Sequence, residues 1–202
     1  AVALITREMG ANCGIVISAS HNPPEYNGIK FFDGEGYKLP DAVEDEMQAI
    51  VEEIRGEQVE TGQARPVPNA ALYYANHAAA VLQERGVDLS GMKIAVDCAH
   101  GASCETTPAT LRALGAEVFV INGDPDGSEI NVGCGSTHLE PVKFLMESRG
   151  ADIAIAHDGD ADRMLALAPD GTVIDGDFLL AICAKDLKER GLLDNNLVVS
   201  TV

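Results

Sequence analysis

Apolar and polar positions along the chain change period repeatedly. The stretch "GIVIS" at 14–18 is a strand-length apolar run, and a second run occupies 29–33, followed by the turn chemistry of "DGEG" at 33–36. Asp41 and Glu44 have the spacing of an N-cap and N3 pair, which predicts a helix through about Arg55. A second helix is predicted from about Ala70 to Arg85, with Leu72, Ala75, Ala79 and Leu82 on one face. "MKIAVDC" at 92–98 reads as a buried strand, "ETTPATLRALG" as a helix closed by Gly115, and "AEVFVIN" as the next strand. Strand, helix, strand implies parallel pairing with a right-handed crossover. After a long loop at 123–136, a helix begins near the capping pair Thr137 and Glu140. "ADIAIAHDGDADRMLALAPDG" then reads as strand, loop, strand and turn, and Asp177 is placed to cap a helix to Arg190, with Gly191 as its stop. Such alternation predicts an α/β fold.

"GEQVETGQARPVPN" at 56–69 has two Gly, two Pro and little apolar periodicity, the composition of a linker, and a second boundary is expected near Gly171. The division expected is therefore 1–68, 69–171 and 172–202. "AVALITREMG" reads as the last turns of a helix stopped by Gly10, and "NLVVSTV" at the other end as a strand entering a sheet. Both ends look cut, as in a piece of something longer.

Composition narrows the classes. Of 202 residues, 46% are apolar and 23% charged, as in a globular protein. No run of about eighteen apolar residues and no signal-peptide layout is present, so a cytoplasmic protein is expected. The net charge of -18 argues against nucleic acid, which needs a basic face, and confines any anion site to a local cationic pocket. Cys13, Cys98, Cys104, Cys134 and Cys183 are scattered, with no CxxC pair, so reduced thiols are expected.

Against that background "HDGDADR" at 157–163 stands out. Asp158, Asp160 and Asp162 follow a strongly apolar strand, and three carboxylates so close repel one another unless a cation lies among them. Oxygen donors favour Mg²⁺, Mn²⁺ or Ca²⁺ over zinc. The other reading is a solvated acidic turn. An EF-hand is excluded, because Arg163 and Pro169 stand where that loop needs Gly and Glu. "SASHNP" at 18–23 places Ser20, His21 and Asn22 on a loop after a strand, with Asn27 and Gly28 beyond. By itself this is better read as an ordinary turn. Lys30 tilts the balance, because a cation within an apolar strand wants an anion such as phosphate. "VGCGSTHLE" at 132–140 has GxG without the rest of a dinucleotide fingerprint and reads as a structural loop. "DCAHGA" at 97–102 reads as a strand-to-helix turn, whose backbone amides are a secondary candidate for anion binding.

"GIVISASHNPPEYNGIK" and "DGDADR", in this order and separated by a strand–helix–strand unit, resemble the phosphoserine and metal loops of the α-D-phosphohexomutases. The resemblance covers essentially the whole chain. "SASHNP…NGIKFF" and "INVGCGSTHLEPV" look most like bacterial members acting on glucosamine phosphate. It implies three-layer α/β/α domains with mixed sheets, truncated at both ends: the C-terminal part of domain I to 68, domain II over 69–171, and the start of domain III. It makes Ser20 the phosphoserine, His21, Lys30 and Arg163 its catalytic neighbours, and Asn22 and Asn27 phosphate- or substrate-binding residues. Asp158, Asp160 and Asp162, with an oxygen of the phosphorylated Ser20, would hold one Mg²⁺. The implied reaction interconverts glucosamine 6-phosphate and glucosamine 1-phosphate through a bisphosphate, with glucose or mannose phosphates as alternative substrates. A small phosphosugar is then the partner, and the full-length parent could pair as a homodimer. Ala161 stands where many members have Gly, a change expected to be tolerated. The family's sugar-recognition and distal phosphate-binding loops are absent, so the isolated fragment is expected to be inactive, or to bind metal and phosphate without turnover. An aspartyl-phosphate phosphatase with Asp158 as nucleophile is the remaining rival.

Overall fold

Five short strands form one mixed sheet whose order follows from which segments are apolar on both faces. β3 (Lys93–Asp97) is buried along nearly its whole length and lies centrally, parallel to β4 (Glu117–Ile121) on one side and to β5 (Ile153–His157) on the other. β6 (Met164–Leu167) and β7 (Val173–Ile174) extend the sheet antiparallel, giving the order β4-β3-β5-β6-β7. Side chains alternate across a strand, so each central strand feeds two cores. Ile94 and Val96 pack with Ala116, Leu111 and Cys104 beneath α4 (Ser103–Ala113), while Ala95, Ala154 and Ala156 pack with Val142 and Met146 of α5 (Glu140–Arg149). Helices on both faces make three layers. α3 (Ala70–Glu84) covers α4 from outside through buried Ala75 and Ala79, and Thr110 Oγ1 donates to Ala75 O at 3.3 Å. Val96, Val142 and Leu167 are fully buried, each contributing about 1.5–3 kcal/mol.

The remaining segments are α1 (Val2–Glu8), an antiparallel hairpin of β1 (Cys13–Ile17) and β2 (Ile29–Asp33), α2 (Asp41–Glu53) and α6 (Gly176–Glu189). This computed structural model describes residues 1–18, 20–58 and 61–200. Ala19 of the serine loop, two residues of the 56–69 stretch and the end of the expected 196–202 strand therefore lie outside the described residues. No helix among them is long and apolar enough to cross a membrane.

Four local expectations change. Asp41 and Glu44 form no capping pair: the N-cap of α2 is Pro40, and Lys38 takes both carboxylates at 3.2 and 3.1 Å. Thr137 lies in a 3-10 turn over Gly135–Thr137, and α5 begins after Leu139 with no side-chain cap. Asp175, not Asp177, caps α6, accepting from the amides of Asp177 and Phe178. Residues 197–200 form no strand and follow a 3-10 turn over Asp194–Asn196. In the first case a nearby cation takes the two carboxylates, and in the third an aspartate two residues earlier reaches the free amides first.

Because β3 and β5 are parallel, their carboxyl ends emerge side by side. The loops that follow Asp97 and His157 meet at that edge, and the hairpin loop from Ile17 to Ile29 packs across them.

Candidate active site

The acidic loop leaves β5 directly after a buried histidine. Asp158 is 1% exposed, and its Oδ1 accepts from the Arg163 amide at 3.2 Å, closing the loop. The turn inside it needs a left-handed residue, supplied by Ala161 at φ 61°. Asp158, Asp160 and Asp162 each bring a carboxylate oxygen to within 4.8 Å of the others. Asp160 Oδ1 is buried and finds no hydrogen-bond partner among the described residues. A buried unpaired carboxylate oxygen is costly, and a divalent cation among three hard oxygen donors would satisfy it. The residues present therefore fit a metal ion of this class. Asp162 is the exposed member of the three, its side chain 60% accessible, and partial desolvation beside the loop together with the neighbouring Asp160 charge pushes its carboxyl up. Burial acts upward on Asp160 too, but hydrogen bonds, first that from Lys30, outweigh it and hold Asp160 below its ordinary value.

The serine loop is held at both ends by β1 and β2, and Ser18 N donates to Gly28 O at 2.9 Å. Ser20 itself has φ 57°, a left-handed conformation rare for a non-glycine residue. Its hydroxyl donates to Asp158 Oδ2 at 3.2 Å. Arg163 binds the same carboxylate oxygen through Nε at 3.0 Å and Nη2 at 2.7 Å, and Nη2 also donates to Ser20 Oγ and to His21 Nδ1. Lys30 Nζ donates to Asp160 Oδ2 at 2.6 Å, which raises the lysine's proton affinity against the opposing effect of burial. The anion that Lys30 meets is thus an aspartate of the metal loop. Asn22 and Asn27 line, with Ser20, Lys30 and Asp160, a cleft of about 650 Å³. All the residues singled out in the two motifs are accordingly brought to one place.

Other positions escaped the sequence reading. Asp97 is fully buried and accepts from Ala99 N, Asn122 Nδ2 and Gly135 N at 2.8–3.0 Å. It ties the 97–102 turn to the 132–135 loop, whose reading as structural agrees with this contact. Asn131 Nδ2 donates to the carbonyls of Ser20 and Asn22. A polar residue ending a buried strand was the available signal for Asp97; Asn131 had none. The anion-binding reading of "DCAHGA" fails. The amides of residues 98–102 all donate to protein acceptors, among them Ala102 N to Gly159 O at 2.8 Å.

Residues 1–58 match the family profile described as phosphoglucomutase/phosphomannomutase, alpha/beta/alpha domain I, and residues 72–171 match that of domain II. The phosphoglucosamine mutases of Symbiobacterium thermophilum and Clostridium acetobutylicum are 49% and 51% identical to the chain over its full length. A solved phosphoglucomutase/phosphomannomutase family protein from Burkholderia thailandensis superposes with a TM-score of 0.71 at 26% identity, over 90% of this chain and 39% of that one. The chain spans 45% and 46% of the lengths of the two curated relatives. Matched over two consecutive domain profiles and carrying the serine and acidic loops in contact, the chain belongs to the phosphoglucomutase/phosphomannomutase family.

Proposed function

We propose that the chain is the serine- and metal-loop portion of a phosphoglucosamine mutase, which interconverts glucosamine 6-phosphate and glucosamine 1-phosphate. The observation that carries this reading is the contact of Ser20 Oγ with Asp158 Oδ2 at 3.2 Å, with Arg163 on both atoms. Its division is the end of domain I to residue 68, domain II over 69–171 and the beginning of domain III from 172. The sugar assignment rests on the names of the relatives at about half identity.

In this reading Ser20 carries the phosphoryl group. Arg163, bound to Ser20 Oγ and His21, stabilises its charge, and Lys30 adds a second cation at the cleft mouth. Asn22 and Asn27 offer polar contacts to the phosphosugar in the cleft. Asp158, Asp160 and Asp162 would hold Mg²⁺, which when bound supplies charge neutralisation at the phosphoryl oxygens. The Ser20 O–P bond breaks as a bond forms from phosphorus to the free hydroxyl of the sugar phosphate, whose proton passes to a nearby base or water. The resulting bisphosphate turns over and returns its other phosphoryl group to Ser20. Five free cysteines among the described residues suit a reducing cytoplasm, and the acidic balance suits a small phosphosugar with no nucleic-acid partner. The buried, Arg163-bound carboxylate of Asp158 is poorly placed as a phosphatase nucleophile.

Incubation with a hexose bisphosphate followed by phosphopeptide mapping tests the assignment. An acid-stable phosphate on Ser20 is expected. A hydroxylamine-labile phosphate on Asp158 would instead establish the phosphatase reading.

A further inference from the structure

We infer that Asn131 is the positioning residue that holds the Ser20 loop over the acidic loop. The inference rests on the assignment of Ser20 as the phosphoryl carrier. Ser20 is left-handed, and a strained residue persists only where its surroundings over-determine it. Its amide donates to Ser18 Oγ at 3.1 Å, within its own loop. Its carbonyl accepts from Asn131 Nδ2 at 2.8 Å, 111 residues away. The same nitrogen reaches Asn22 O at 3.1 Å. Two carbonyls can only accept, so the amide orientation of Asn131 is set by chemistry. One NH₂ group thus spans the residues on either side of His21.

Asn131 is itself anchored. Its amide donates to Ala99 O at 3.1 Å, and the Ala99 amide donates to the fully buried Asp97. Its own φ of 60° suits asparagine. Gly159 completes the junction: a Cβ there would lie 2.5 Å from Ser20 O and 2.8 Å from Asn131 Nδ2. A hydrogen-bonded line therefore runs from the core strand through Ala99 and Asn131 to the Ser20 backbone. The hydroxyl is left to Asp158 and Arg163. Asn131 touches no reacting atom; it fixes where one sits.

The test uses the full-length parent enzyme with glucosamine 1-phosphate. Asn131→Asp and Asn131→Gly both tolerate a left-handed backbone and both remove the donor. Displacing a reacting group by an ångström costs on the order of 100-fold in rate, so each variant is expected to lower kcat about 10–100-fold. KM should change less than about threefold and Tm by only a few degrees. A kcat within twofold of wild type, or a kcat that falls only in step with lost thermal stability, would overturn the inference. Ser20→Ala is run alongside. If it stays active, the serine assignment fails and this inference fails with it. If it is dead while Asn131→Gly is fully active, only the positioning role fails.

Discussion

Lys30 Nζ lies 2.6 Å from Asp160 Oδ2, although the two residues are 130 apart in sequence. The lysine side chain is 41% exposed and the aspartate 10% exposed, so the pair closes the rim of the acidic loop. Its positive charge sits on a carboxylate that a divalent cation would use. Removing it without adding a charge, in Lys30→Met, is expected to tighten Mg²⁺ binding about 3–10-fold, the modest range reflecting screening at a half-exposed pair. Isothermal titration measures this directly, and unchanged or weaker binding would show that the two cations do not compete.

Metal affinity should also depend on pH in a defined direction. Partial desolvation and the Asp160 charge hold the carboxyl of the exposed Asp162 above its ordinary value of 3.8. In the metal-free chain the folded state takes this proton more readily than the unfolded state. Asp162 therefore destabilises the neutral-pH fold, and the penalty is relieved as pH falls through its folded value. Mg²⁺ must displace the proton, so its affinity should fall as pH drops through the raised Asp162 value, and should fall at higher pH than in Asp162→Asn, which has no such proton. An identical pH dependence of Mg²⁺ binding in the two would separate Asp162 from the metal site. Asp160→Asn, which removes one anionic donor, is expected to weaken binding at any pH.

Asp97 should be a stability hot spot. Its carboxylate is fully buried and accepts three hydrogen bonds, from two amides and the Asn122 side chain. Asp97→Asn keeps the shape but turns one NH₂ group toward those donors. Each charged hydrogen bond lost costs about 1.5–3 kcal/mol, so a destabilisation of about 2–4 kcal/mol is expected in denaturant unfolding. A cost below about 1 kcal/mol would mean that the turns do not depend on this carboxylate.

Ala161→Gly should stabilise. An L-residue pays about 1–2 kcal/mol in the left-handed region, and Ala161 has φ 61°. Glycine removes that strain but has greater freedom to lose on folding, about 0.5–1 kcal/mol. The net gain is about 0.5–1 kcal/mol, read from the same denaturant titration. The substitution that the sequence presents as conservative is a local strain in the structure.

The three aspartates stand out in the sequence as a polar interruption after an apolar strand, and Lys30 as a cation inside one, whereas the Ser20 loop alone reads as an ordinary turn and only the resemblance singles it out. Covalent spacing alone puts the three aspartates on one loop. The strands at 29–33 and 92–98 and the helix from Ala70 were legible for the same reason, since their periodicity is a local property. Helix caps were less so. Asp41 and Glu44 have capping spacing, yet Lys38 binds both carboxylates, a competition between neighbours that spacing does not rank.

What the sequence by itself determined is therefore most of the helices and strands and the chemistry of each loop: an anionic triad, a serine with a histidine beside it, a lysine in a strand. What only the tertiary structure decided is which groups share atoms. Lys30 meets Asp160, Arg163 joins Ser20 to Asp158, and Asn131 fastens the Ser20 backbone. The physical reason is that these contacts span 111 to 143 residues. They depend on β3 and β5 lying parallel, so that their carboxyl ends open at the same edge, and on the hairpin loop packing there. Hydrogen bonds act over about 3 Å, and no period in the chain encodes a distance of that kind between loops so far apart.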